Sequence, residues 1–95
     1  MRYSFEWDLG KELRNVFKHG LTFRVAREVF GDPKVIHVED SKHSKRERRF
    51  YAVGRIPSGA IVTVRYTVRG NVIRIFGAAR WRKWRKYYEQ NTGSN

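Results

Sequence analysis

Val64-Arg65-Tyr66-Thr67-Val68-Arg69-Gly70-Asn71-Val72-Ile73-Arg74-Ile75-Phe76 decides how the second half of this chain folds. Apolar and polar residues alternate on both sides of Gly70-Asn71, the period of strands with one buried face. Gly70-Asn71 itself suits a two-residue hairpin turn. Pairing across it sets Arg69 opposite Val72, Val68 opposite Ile73, Thr67 opposite Arg74 and Arg65 opposite Phe76. One face then collects Val64, Tyr66, Val68, Ile73 and Ile75, a core face. The other collects Arg65, Thr67, Arg69, Arg74 and Phe76.

Working toward the N-terminus, Pro57-Ser58-Gly59 is a second turn, and it pairs residues 47–56 with 60–69. Ala60 falls opposite Ile56, Phe50 opposite Tyr66 and Glu47 opposite Arg69. Phe50, Ala52 and Ile56 join the core face. Glu47, Arg49, Tyr51 and Arg55 join the polar face, unless a bulge at 57–59 shifts the parity. With 72–78 these make three antiparallel strands. Residues 35–39 read as a further short strand and 40–46 as a solvated loop. Tyr3, Phe5 and Trp7 alternate with Arg2, Ser4 and Glu6, so 2–7 is a first strand. Asp8 is a good N-cap for a helix whose Leu9, Leu13, Val16 and Phe17 share one face. Gly20 suits its left-handed end. Thr22 caps a second helix carrying Phe23, Ala26, Val29 and Phe30 on one side, stopped by Gly31 and Pro33.

From Arg80 to about Gln90 a last helix places Trp81, Trp84 and Tyr88 at i, i+3 and i+7, a core-facing stripe. Its Arg and Lys residues, Arg82 and Lys83 among them, then face solvent as phosphate contacts. The expected fold is α+β: an antiparallel sheet packed on an N-terminal helical hairpin, with a C-terminal helix at its edge. One domain is expected over residues 1–91, followed by a disordered tail, 92–95.

Twenty-one Lys and Arg against nine Asp and Glu give a net charge of +12 on 95 residues. Such a field draws polyanions. Nucleic acid leads, an anionic membrane surface is second, and an acidic protein partner is third. The absence of cysteine excludes disulfides and thiolate metal sites. No run of about 18 apolar residues suggests a membrane span, and the first residues lack the apolar core of a secretory signal. A cytoplasmic location is the expectation.

The polar sheet face presents Glu47 among Arg49, Arg65, Arg69 and Arg74, beside Tyr51, Thr67 and Phe76. That set suits RNA cleavage without a metal or other cofactor. A 2′-hydroxyl attacks its own phosphate, a base takes the proton, and fixed cations hold the charge growing on the phosphorane. Arginines grip phosphate and aromatic rings stack unpaired bases. Either Glu47 or His43 can serve as the base, while a plain cross-strand ion pair between Glu47 and Arg69 is the alternative for Glu47. His43, in the loop just before Glu47, is the better-placed acid/base histidine. His19, at the end of the first helix, suits capping or packing, and His37, mid-strand, a structural role. The histidine spacing is not that of a metal site.

Several short words occur in order along the chain: Phe5-Glu6-Trp7-Asp8, Lys18-His19-Gly20 with Phe23, Phe30-Gly31-Asp32-Pro33, Asp40, His43-Ser44 and Glu47-Arg48. In this series the chain resembles the BrnT family of bacterial toxins, from Phe5 to about Tyr88. The resemblance implies a RelE-like fold and a type II toxin that halts translation by cutting RNA. It further implies a BrnA-like ribbon-helix-helix antitoxin, with operator DNA bound only through the complex. It brings Glu47 and His43 forward as catalytic residues with Arg69, Arg74 and Arg80, and His19, Asp40 and Arg48 as secondary candidates. Family members carry Ser-Ala-Arg at the end of the last strand and an acidic residue in the last helix. Here Ala79 takes the arginine position and Arg85 the acidic one, so either Arg80 substitutes or that arginine is missing. The rival readings are a non-catalytic RNA- or DNA-binding module and a membrane-surface binder. Basic residues on strands as well as on the last helix weigh against the membrane.

Overall fold

The structure, a computed structural model, describes residues 3–93. Among them, five strands and three α-helices follow in the order β1 (Ser4–Trp7), α1 (Leu9–His19), α2 (Phe23–Ala26), β2 (Ile36–Glu39), β3 (Arg49–Arg55), β4 (Ile61–Arg69), β5 (Val72–Ala79) and α3 (Arg82–Thr92). Short 3-10 segments occupy Arg27–Gly31 and Ser41–His43. The strands form one sheet ordered β1-β5-β4-β3-β2.

The Gly70-Asn71 hairpin has the expected register from Arg69↔Val72 to Thr67↔Arg74, and β3 pairs with β4 as expected from Phe50↔Tyr66 to Arg55↔Ile61. The expected pairing of Arg65 with Phe76 does not occur. Arg65 pairs with Gly77, and Tyr66 with Ile75, so Phe76 is the extra residue of a bulge. Arg65 sets that geometry: its guanidinium lies across Gly77, where a β carbon would stand 2.6 Å from it. Beyond the bulge the alternation is reset, which turns Ala78 into the core opposite Val64.

The sheet is mixed rather than antiparallel. β1 runs parallel to β5, Ser4↔Val72 through Trp7↔Ile75, because the chain between them is long enough to cross over. Phe23, Ala26 and Val29 pack on the face bearing Ala52, Val62, Val64, Tyr66, Ile73 and Ile75. Val68, expected in that core, is exposed. The helical hairpin itself is corrected. The second element is one α-helical turn continued as 3-10, and the apolar stripe of α1 points to solvent: Leu9, Leu13, Val16 and Phe17 are all exposed. Polar side chains instead seat α1 beside β5. Asn15 is buried, accepts from the Ala78 amide at 3.0 Å and donates to the Leu21 carbonyl at 2.9 Å. Glu12 accepts from the Trp7 indole (3.2 Å) and the Phe23 amide (2.8 Å). Ala78 lies past the stretch of β5 that β1 covers, so its amide has no strand partner there and the flanking helix supplies a polar one. The caps are as expected: Asp8 accepts from Lys11 N, and Gly20 closes α1 at φ 70°.

α3 covers the opposite sheet face rather than an edge. Tyr88 is buried with Val53 and Ile61, flanked by Ile36 and Trp84. Thr92 ends this helix and Gly93 caps it, so these two are not tail; 94–95 lie outside the described residues, as does the start of the expected 2–7 strand. Asp32 ties α3 down, accepting from the Tyr88 hydroxyl, from Arg55 N at 2.7 Å and from Lys34 N at 2.9 Å. Burial alone would raise its pKa, but those donors and the Arg55 charge outweigh it and hold the carboxyl below its ordinary range. A depressed acid stabilises the fold above its unfolded pKa, and that contribution fades as pH falls through the folded one. Asp32→Ala should therefore cost about 1–3 kcal/mol at neutral pH, with the parent–variant gap in thermal melts narrowing in acid.

Candidate active site

Twist and alternation leave one face of β3–β5 basic, and α1 stands along its margin. The side of α1 turned away from its apolar stripe carries Lys11, Arg14 and Lys18, spaced i, i+3 and i+7. With Asn15, His19, Arg49, Arg65 and Phe76 they line a groove of about 360 Å³. No carboxylate lines it. Phe76, raised by the bulge, is its floor: the Arg49 guanidinium lies 4.3 Å and the Lys11 ammonium 5.1 Å from the ring centroid. Among the described residues, neither Arg49 nor Arg65 is ion-paired. Two cations fixed without counter-charges are suited to an anion supplied from outside.

His19 forms one wall. Burial, then the charges of Lys18 and Arg65, lower its pKa, so at neutral pH its imidazole is uncharged and able to accept a proton. Its ring also packs edge-on against Trp81 at 5.9 Å, the packing role expected from sequence. Arg80 lies near the end of α1, its guanidinium 4.0 Å from where a Gly20 β carbon would stand. Ala79 is buried opposite Thr63.

The other expected residues form a second cluster on the same face. Glu47 takes two bonds from Arg69, at 3.1 and 3.2 Å, and Arg74 bonds Glu6 at 2.8 Å. Arg69 approaches Glu6 to 4.0 Å, joining all four. The Arg69 bonds are the main reason the Glu47 pKa is lowered, with the charges of Arg69, Arg49 and Arg74 adding to them. Glu47 is thus a firmly ionised carboxylate and a weak base. His43 lies apart, on the Ser41–His43 turn, its Nδ1 2.8 Å from Asp40, and the His43 side chain is exposed. Asp40 also faces Tyr51, whose pKa burial, then Asp40, raise.

Some expected contacts are otherwise engaged. Thr67, expected to touch RNA, is buried, because its hydroxyl donates to the Arg48 carbonyl at 2.6 Å. The Tyr51 ring lies against Trp84, 5.1 Å between centroids, so one side of that platform is covered. Arg48 pairs with Glu39 at 2.8 Å and lies over Phe50. Arg82 and Lys83 are exposed on the first turn of α3. His37 bonds the Tyr66 hydroxyl at 2.6 Å within the packed face. Lys11, Arg14 and Lys18 were legible as a helical stripe, but only the seat of α1 shows where they point. A larger hollow, about 420 Å³, lies beside α3 among Arg55, Arg80, Arg82 and Arg85. It contains the Glu89 carboxylate and no histidine, so it suits proton transfer less. Among the described residues no three His, Asp or Glu gather as a metal site, and no helix is long and apolar enough to cross a membrane.

Residues 7–84 match the model of a family described as ribonuclease toxin, BrnT, of type II toxin–antitoxin systems. A crystal structure of the Brucella abortus ribonuclease toxin, BrnT, is similar in fold, with a TM-score of 0.65 at 19% identity, over 84% of this chain and 97% of that one. No curated protein matches the chain.

Proposed function

The chain belongs to the BrnT family of ribonuclease toxins of type II toxin–antitoxin systems, and from that premise we propose that it cuts RNA in the groove between α1 and the basic sheet face. The observation that carries this reading is a histidine, His19, set among five cations without a carboxylate. In the proposed reaction Arg49 and Arg65 hold the scissile phosphate. His19 takes the proton of the 2′-hydroxyl, which attacks phosphorus. The ammonium of Lys11 or Lys18 supplies the proton that leaves with the 5′-oxygen. Negative charge on the phosphorane is met by guanidinium groups already in place. Glu47, Arg69, Glu6 and Arg74 form an ion-paired ladder on the same sheet face, and Arg80 adds a cation near the end of α1. His43 with Asp40 is the second acid/base candidate.

Cleavage of cellular RNA in the cytoplasm would halt translation, and a BrnA-like antitoxin would restrain it, with operator DNA reached only through that complex. The chemistry uses side chains alone. Incubation of the purified chain with RNA in excess EDTA should leave 2′,3′-cyclic phosphate ends. Activity abolished by EDTA and restored by magnesium would reject the mechanism, and tight binding without cleavage would leave only an RNA-binding module.

A further inference from the structure

The hollow beside α3 begins where the groove ends. The His19 ring, a wall of the groove, meets the ring of Trp81, which lines the hollow, at 5.9 Å between centroids. Arg80, also in the hollow's lining, sets its guanidinium 4.0 Å from where a β carbon on Gly20 would stand, one residue past His19. The two concavities, about 360 and 420 Å³, are thus separated by one pair of rings.

Four guanidinium groups line the hollow, from Arg55, Arg80, Arg82 and Arg85, against the single carboxylate of Glu89. That carboxylate accepts from Arg85 Nε at 3.3 Å, so it is already engaged. Arg55 is held at the wall by donating to the Gly59 carbonyl at 2.8 Å. Folding does not account for this crowd. Arg82, Lys83 and Arg85 open α3, where no acidic residue stands in the first turn and no side chain caps it. The helix dipole presents its positive end there, so each cation stands against the local field. Arginines gathered against the preference of the fold are suited to a polyanion from outside.

We propose that the hollow is a second phosphate subsite, holding the RNA backbone beyond the nucleotide cut in the groove. The proposal rests on the ribonuclease reading for the strand's presence at His19; the position and charge of the hollow carry the rest. A strand with its scissile phosphate between Arg49 and Arg65 passes the His19–Trp81 pair and enters the arginines. The half-buried Trp81 ring offers the intervening base a stacking surface. Since no histidine lines the hollow, it holds the strand and takes no part in proton transfer. Strands that reach across both sites are then favoured over dinucleotides that fill the groove alone.

The test compares the parent with Arg82→Gln/Arg85→Gln and with Lys83→Gln/Lys86→Gln. The second pair removes equal charge from the same helix, but neither lysine lines the hollow. The binding probe is a long single strand with deoxyribose throughout, which has no 2′-hydroxyl and is not cut, so its Kd needs no catalysis. The arginine variant should bind it at least about tenfold more weakly, the scale of a lost hydrogen bond to a charged group. Its plot of log affinity against log salt should be flatter by about 1.4, from two contacts at about 0.7 each. The lysine variant should change both less. On RNA, the arginine variant should raise KM for a long strand, with a much smaller effect on a dinucleotide. Its melting temperature should equal or exceed the parent's, because two charges opposing the helix dipole are gone; a merely structural role would lower it. An unchanged Kd, an equal loss in the lysine variant, or a KM penalty as large on the dinucleotide overturns the subsite. So does an arginine variant that loses affinity only for the antitoxin, since the hollow is then the site of an acidic protein segment. A chain whose strand affinity depends on the hollow yet never cuts RNA defeats the ribonuclease reading alone; one that cuts RNA with the same Kd in parent and arginine variant defeats the subsite alone.

Discussion

His19→Gln should lower the RNA cleavage rate by about 10²–10⁴, the usual cost of losing a general base, while RNA binding and the melting temperature stay near the parent's. The glutamine keeps polarity and bulk beside Trp81 but cannot take the proton. The pH profile is the sharper readout. The parent's rate should rise with pH through the His19 pKa, which lies below the ordinary histidine value, and then level off. That rising limb should vanish in the variant. Glu47→Gln is the counterpart. With its carboxylate engaged by Arg69, its loss should change the rate less than about tenfold, and because the pair is exposed the melting temperature should stay near the parent's. If Glu47→Gln abolishes cleavage while His19→Gln does not, the base is Glu47, and the groove is only a binding surface.

Replacing Arg49 and Arg65 together with glutamine should remove still more activity. Deleting one preorganised donor to a charged transition state costs about 10²–10³, and these two guanidinium groups lack competing carboxylates. Binding should report them separately from rate. Each phosphate contact to a single strand contributes about 0.7 to the slope of log affinity against log salt, so two contacts amount to about 1.4. Replacing Arg69 and Arg74, which are paired with Glu47 and Glu6, should flatten the slope far less. A flatter slope from the Arg69/Arg74 pair than from the Arg49/Arg65 pair would move the RNA to the ion-paired ladder. Gly77→Ala refines the result. Its β carbon would displace the Arg65 guanidinium, so cleavage should fall although no charge is removed.

The hairpins were readable because alternation and turn residues are local signals: Phe50↔Tyr66 and Thr67↔Arg74 pair as their spacing requires. The bulge at Phe76 was not, since it depends on Arg65 lying across a glycine on the neighbouring strand. The parallel attachment of β1 was hidden for a related reason, because alternation identifies a strand without naming its neighbour. The α1 stripe misled most. Hydrophobic periodicity reports which residues share a face but not which face the protein buries, and here an asparagine decides that. The error carried into the site. With α1 turned inward by its leucines, Lys11, Arg14 and Lys18 lose their place around His19, and attention falls on the Glu47–Arg69 pair instead.

Asn15 has one more consequence, at the level of lineages rather than molecules. It holds α1 with two bonds from the helix's inner side, so the outward residues are released from any duty to the fold. Changes at Leu9, Leu13 or Phe17 cost little stability and can accumulate freely. Lineages can therefore vary the outer side of this helix while the groove along its other side stays unchanged.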